Sequence, residues 1–165
     1  MPSVTVHLVG AALAAVIAGC GAPGSPAAPP PVPEVRDDPP VDLIASAQAL
    51  FDQYELAITA GHREALPTFY HPDGAVRVIN GIKQRLSYDA LRRGYVESWT
   101  PPAFFAWDRL TFDPVAANQV LVTGWFRIYR TGRTDTTRVT YAALVATVDS
   151  GVAIVFEHET ERPTR

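Results

Sequence analysis

The sequence predicts an α+β domain, and three observations carry that prediction. Apolar residues recur at three- and four-residue spacing in the first half, they alternate with period two through the second half, and glycine, proline or asparagine punctuates the segments between. Leu43, Ile44, Ala47, Leu50, Phe51, Tyr54 and Ile58 mark an amphipathic helix, with Asp42 placed to cap its start and Gly61 to end it. A second, shorter helix is expected over residues 62–69. Tyr70-His71-Pro72-Asp73-Gly74 then reads as a turn, with Asp73 expected to satisfy turn amides, leading into a strand over residues 75–79. Asn80-Gly81 is a reverse-turn signal. Ser87 is placed to cap a third helix carrying Leu91, Tyr95 and Trp99, which Pro101-Pro102 stops. Four strands are expected afterwards, over residues 104–112, 119–130, 136–148 and 152–160, separated by Asp113-Pro114, Thr131-Gly132 and Asp149-Ser150-Gly151. Helices first and an antiparallel meander last is the α+β order.

The N-terminal quarter has a different character. Residues 8–18 read LVGAALAAVIA, an uncharged run too short to span a bilayer and the length of a signal-peptide core. It closes on Ile17-Ala18-Gly19-Cys20, which holds the single cysteine of the chain. This segment resembles a bacterial lipoprotein signal, with its box of an aliphatic residue, a small residue, Gly or Ala, and then Cys. The resemblance implies cleavage before Cys20 and acylation of its thiol. Several acyl chains on one residue anchor a protein firmly, at about 0.8 kcal/mol per buried methylene, without spanning the membrane. The expected location is therefore the bacterial cell envelope, on the outer side of the cytoplasmic membrane or in the outer membrane. Eight of the fifteen prolines fall within residues 21–40, in a stretch with little to bury that suits an extended spacer. The expected organisation is a signal peptide at 1–19, a lipidated Cys20 and proline-rich tether at 20–40, and one domain at 41–165.

Composition also narrows the function. A net charge of −3 and the lack of a basic stripe argue against a nucleic-acid partner. The four histidines, at 7, 62, 71 and 158, are scattered, so no metal site is expected. There is no glycine-rich phosphate loop and no nucleophile elbow, and no cofactor is expected.

Three local motifs, in this order, resemble the nuclear transport factor 2-like superfamily in its SnoaL-like branch. They are AGHREALPTFYHPDGAVRV after the first helix, the Asn80-Gly81 turn before the helix SYDALRRGYVESW, and the closing strand GVAIVFEHETERP from Gly151 to Pro163. In that last motif His158 matches the family pattern, whereas Val152, Phe156 and Thr160 stand where the family usually has Trp, His and Ser. The resemblance covers residues 42–163. It implies a curved antiparallel sheet wrapped around three N-terminal helices, a cone with an apolar pocket at its mouth, in a fold that hosts both enzymes and binding or assembly modules.

Strand parity proposes a lining for that pocket. On the last strand Val152, Ile154, Phe156, His158 and Thr160 are expected to share the inward face, with Glu157 and Glu159 pointing the other way. A hairpin at Thr131-Gly132 then places Trp125, Arg127 and Tyr129 on the same face as Arg138, Thr140 and Ala142. The expected ligand-binding set is Trp125, Arg127, Arg138 and His158, joined by Tyr54 and Tyr70 from the helical half. Two catalytic candidates follow, His158 and, by parity on its own strand, Asp108. Three functions are compatible with these features. The leading one is an exported, lipid-anchored domain that binds a small apolar, amphipathic or acidic ligand or a protein partner. The alternatives are an enzyme of the lyase or isomerase kind using His158, and a structural homodimer.

Overall fold

The computed structural model describes residues 42–130, 132 and 135–162. The expected signal segment, Cys20, the expected proline-rich tether, Thr131 and Pro163 lie outside the described residues.

Helix α1 (Leu43–Ala60) begins where the Asp42 carboxylate accepts the Ala45 N–H at 3.0 Å, and it ends at Gly61, whose φ of 69° turns the chain back onto the last carbonyls. Its buried stripe of Ala47, Leu50, Phe51, Tyr54, Ala57 and Ile58 follows the predicted spacing. Instead of a second α-helix the chain makes one 3-10 turn, Leu66–Phe69. Pro67 accounts for this, because it has no N–H to donate and disfavours helical geometry at the residue before it. In the turn that follows, the Asp73 N–H donates to the His71 ring at 3.1 Å while the Asp73 side chain stays exposed, so His71 rather than Asp73 satisfies a turn amide.

Strands β1 (Ala75–Ile79) and β2 (Ile82–Leu86) pair across Asn80-Gly81, where both residues have positive φ. β2 was not expected. Its sequence IKQRL lacks alternation because it is a mostly exposed edge strand carrying Lys83 and Arg85. Helix α2 (Tyr88–Arg93), capped by Ser87, widens into a π turn at Gly94–Ser98. The meander follows as β3 (Phe104–Ala116), β4 (Gln119–Tyr129), β5 (Thr137–Val148) and β6 (Gly151–Arg162). β3 runs through Asp113-Pro114, which the sequence reading placed in a turn. As an edge strand it has one hydrogen-bonding neighbour, and a proline is tolerated there.

The six strands form one curved sheet in the order β2-β1-β6-β5-β4-β3, antiparallel except where β6 pairs parallel with β1. α1 lies against the inner face over β3, β4 and β6. There Phe51, 1% exposed, packs edge-on against Trp107 and Tyr141 at ring-centroid distances of 5.7 and 5.8 Å. Of three register shifts in the sheet, the two within the core of the strands decide which side chains share that face. In β3 the pairs Trp107↔Phe126 and Arg109↔Trp125 leave Asp108 as the extra residue, and in β6 the pairs Val145↔Ile154 and Leu144↔Phe156 leave Val155. Each extra residue inverts the alternation beyond it. Ile154 and Glu157 are both fully buried for this reason, although they are an odd number of residues apart. No described helix is long and apolar enough to cross a membrane.

Candidate pocket and the outer-face cluster

Between α1, the segment after α2 and the inner face of the sheet lies a cavity of about 410 Å³. Its apolar walls include Ile58, Trp99, Phe105, Phe126 and Ile128, and its polar groups are Tyr54, Arg77, Tyr95, Arg130 and Glu159. Apolar walls with a few converging polar groups are the usual make-up of a small-molecule site.

Behind the cavity a hydrogen-bonded network fixes the polar wall. The Glu157 side chain has no exposed surface, yet three donors reach it. The Arg77 guanidinium pairs with Oε1, the Tyr70 hydroxyl donates to Oε2 at 2.9 Å, and the Tyr141 hydroxyl donates to Oε2 at 3.4 Å. Tyr70 is held in reach by a bridge between its backbone and that of Ile154. The hydroxyls of Tyr54, Tyr70 and Tyr95 close a triangle with sides of 3.1, 3.0 and 2.7 Å. Burial raises all of these tyrosines and Tyr141 above the usual phenol range, Tyr95 to about 12, so they remain neutral donors and acceptors. Two residues along β6, on the same face as Glu157, Glu159 faces the cavity. Burial and the negative charge of Glu157 push its carboxyl up to about 8.

The residues expected from sequence separate into two groups. Tyr54 and Tyr70 are on the inner side, Tyr54 in the pocket wall and Tyr70 one layer behind it. Trp125, Arg127, Arg138 and His158 do share one face, since Arg127 pairs directly with Arg138, Trp125 with Thr140 and Ala142 with His158. That face is the outer one. The Val155 bulge is the physical reason: it carries Ile154 inward but turns Phe156, His158 and Thr160 outward, so Glu157 and Glu159 take the positions assigned to the histidine face. The other catalytic candidate, Asp108, also belongs to the outer cluster. Its carboxylate accepts from Arg127 Nε at 2.6 Å and lies 3.6 Å from Arg138 Nη2, while the Arg138 guanidinium stacks 5.1 Å from the Trp125 ring centre. Arg127 and Arg138 are about half exposed, and among the described residues the side-chain partner of His158 is Thr160 at 3.4 Å. The positive cluster that pointed to an acidic ligand therefore does not line the cavity.

Glu159, Arg77, Arg130 and Glu157 were not singled out from sequence. Tyr95 and Trp99 were, as the apolar side of a helix. One signal was available: Glu157, Glu159 and Glu161 stand at every second position of a strand bordered by apolar runs, which requires all three carboxyls on one face. Among the described residues no group of three or more His, Cys, Asp or Glu is arranged to hold a metal ion.

The cone fold is shared with solved structures at low sequence identity. An NTF-2 like protein of unknown function from Shewanella oneidensis superposes with a TM-score of 0.62 at 16% identity, over 70% of this chain and 97% of that one. A ketosteroid isomerase-like protein from Erwinia carotovora atroseptica gives 0.62 at 15% identity, over 74% and 98%. A cystatin-like fold protein from Burkholderia xenovorans gives 0.60 at 19%, over 75% and 95%. No family model and no curated protein matches the sequence. The domain is thus an α+β cone of the nuclear transport factor 2-like, or cystatin-like, kind.

Proposed function

We propose that this protein is an exported, lipid-anchored cone domain that binds a small, largely apolar ligand in the cavity between α1 and the inner face of the sheet. The observation that carries the reading is the cavity of about 410 Å³, whose apolar walls converge on Tyr54, Tyr95 and Glu159. The address rests on Ile17-Ala18-Gly19-Cys20 and the proline-rich stretch behind it. A lyase or isomerase working through His158 has no support from this geometry, because that imidazole is on the other side of the sheet from the cavity.

The test uses the full chain carrying Cys20→Ser, so that no acyl chain competes for the cavity. Small apolar alcohols should raise its melting temperature in a concentration-dependent way. An Ile128→Trp variant, which fills the cavity, should retain its fold by circular dichroism and lose the shift. No stabilisation by any alcohol, or equal stabilisation of the filled variant, contradicts the proposal.

A second reading, a homodimer formed through the outer face of the sheet, is favoured by the half-buried apolar side chains there, Val78, Trp125 and Phe156. Sedimentation equilibrium decides it. A dimer that Trp125→Glu dissociates supports it, and a monomer at high concentration removes it.

A further inference from the structure

Among the described residues, Glu157, Glu159 and Glu161 share one face of β6 with only two guanidiniums, Arg77 and Arg130, to pair with, and of the three carboxyls only Glu159 lines the cavity. Arg77 on β1 pairs with Glu157, and Arg130, just beyond β4, pairs with Glu161. Glu159 stands between those two pairs on β6, opposite Tyr141 in the sheet. Among the described residues its carboxyl has no hydrogen bond and no ion-pair partner, and it borders the cavity. The rings of Tyr54, Tyr95, Trp99, Phe105 and Phe126 form much of the remaining lining.

We propose that the ligand of this pocket is an organic cation, an amine or quaternary ammonium on a compact apolar body, with its charge against Glu159 and its body among the aromatic rings. The inference rests on the ligand-pocket reading above and specifies the ligand class. With both guanidiniums already paired to Glu157 and Glu161, an entering anion finds no free cation to meet it. A neutral ligand leaves that carboxyl protonated. A cation supplies the missing partner, and aromatic faces add to its attraction. The groups that set the Glu159 equilibrium are Glu157 and Glu161 on its own strand and Arg77 and Arg130 beside it; the neutral hydroxyl-bearing Tyr141 is its neighbour on β5, and Tyr54 and Tyr95 line the same cavity from the helical side. Because burial and Glu157 hold the Glu159 carboxyl up near 8, the empty pocket keeps its proton at pH 7, and a cation arriving there expels it.

The test is calorimetric titration of the full chain carrying Cys20→Ser with three probes that share a phenylethyl body: 2-phenylethylammonium, 2-phenylethanol and 3-phenylpropanoate. Titrations are run at pH 7 in phosphate and in Tris, whose different ionisation enthalpies report proton release. The cation is expected to bind about tenfold or more tighter than the alcohol. The anion is expected to be weakest, and the cation alone should show a buffer-dependent heat. Glu159→Gln should bring the cation down to the affinity of the alcohol and remove the buffer dependence, whereas Arg127→Ala on the outer face should leave the cation preference intact. If Glu159→Gln does not fold, proton release by the parent chain still decides the matter. Alcohol binding with no cation preference, a preference that survives Glu159→Gln, or cation binding without proton release overturns the ligand class and leaves the pocket standing. Failure of all three probes to bind overturns both.

Discussion

A carboxylate with no exposed surface survives at Glu157 because an arginine and two phenols surround it, and that arrangement fixes what its loss does. Burying a lone charge costs far more than a hydrogen-bonded pair. Arg77→Met, which strands Glu157, should lower unfolding stability by about 3–5 kcal/mol in urea titrations, while replacing both partners with apolar residues should cost much less. A loss below about 1 kcal/mol for the single change would show that the pair is not desolvated. Glu159 behaves differently, since its proton is held to about 8 in the fold against an ordinary 4.5 in the open chain. Between those values the unfolded chain binds fewer protons than the native one, so stability should fall as pH rises across that window and level off above it. Glu159→Gln should flatten the fall. A parent protein whose stability is constant or rising from pH 5 to pH 8, with no difference in the variant, would contradict the placement of this carboxyl.

At the scale of elements, the two bulges separate what the sequence discloses from what it hides. Caps, helix periodicity and turn residues are local signals, and α1, the β1–β2 turn and the four long strands follow from them. The pairing of Trp125, Arg127 and Arg138 with His158 was also legible, because hairpin geometry sets register. The side of the sheet that receives them was not. Val155 is an ordinary strand residue with no glycine or proline to announce a bulge, and one extra residue exchanges the inner and outer faces of everything after it. Beside the other bulge, Gly124 is packed so closely that a Cβ would lie 1.9 Å from the Arg109 carbonyl oxygen. Backbone cannot yield there without disturbing the β3–β4 ladder. Gly124→Ala should therefore destabilise the domain by about 1–3 kcal/mol. Gly81→Ala meets nothing within 4 Å, so its cost should be confined to backbone strain at a positive φ. Equal, near-zero effects at the two glycines would show that the bulged register is wrong.

At the scale of the whole molecule, the proposed envelope address and the proposed binding site are tested separately. Mass spectrometry of the membrane fraction should find a mature N-terminus at acylated Cys20, and Cys20→Ser should release the protein from membranes; a soluble mature form beginning elsewhere would contradict the address. The binding site is tested most directly through the three tryptophans, which stand in three environments. Trp99 lines the cavity, Trp107 is packed in the aromatic core, and Trp125 is on the outer face beneath Arg138. Their indole N–H signals in a nitrogen–proton correlation spectrum report separately on each place as 2-phenylethanol is titrated into the full chain carrying Cys20→Ser. Saturable movement of the Trp99 signal with Trp125 unmoved is the expected result; movement of Trp125 with Trp99 unmoved would place the ligand on the outer face and contradict the pocket.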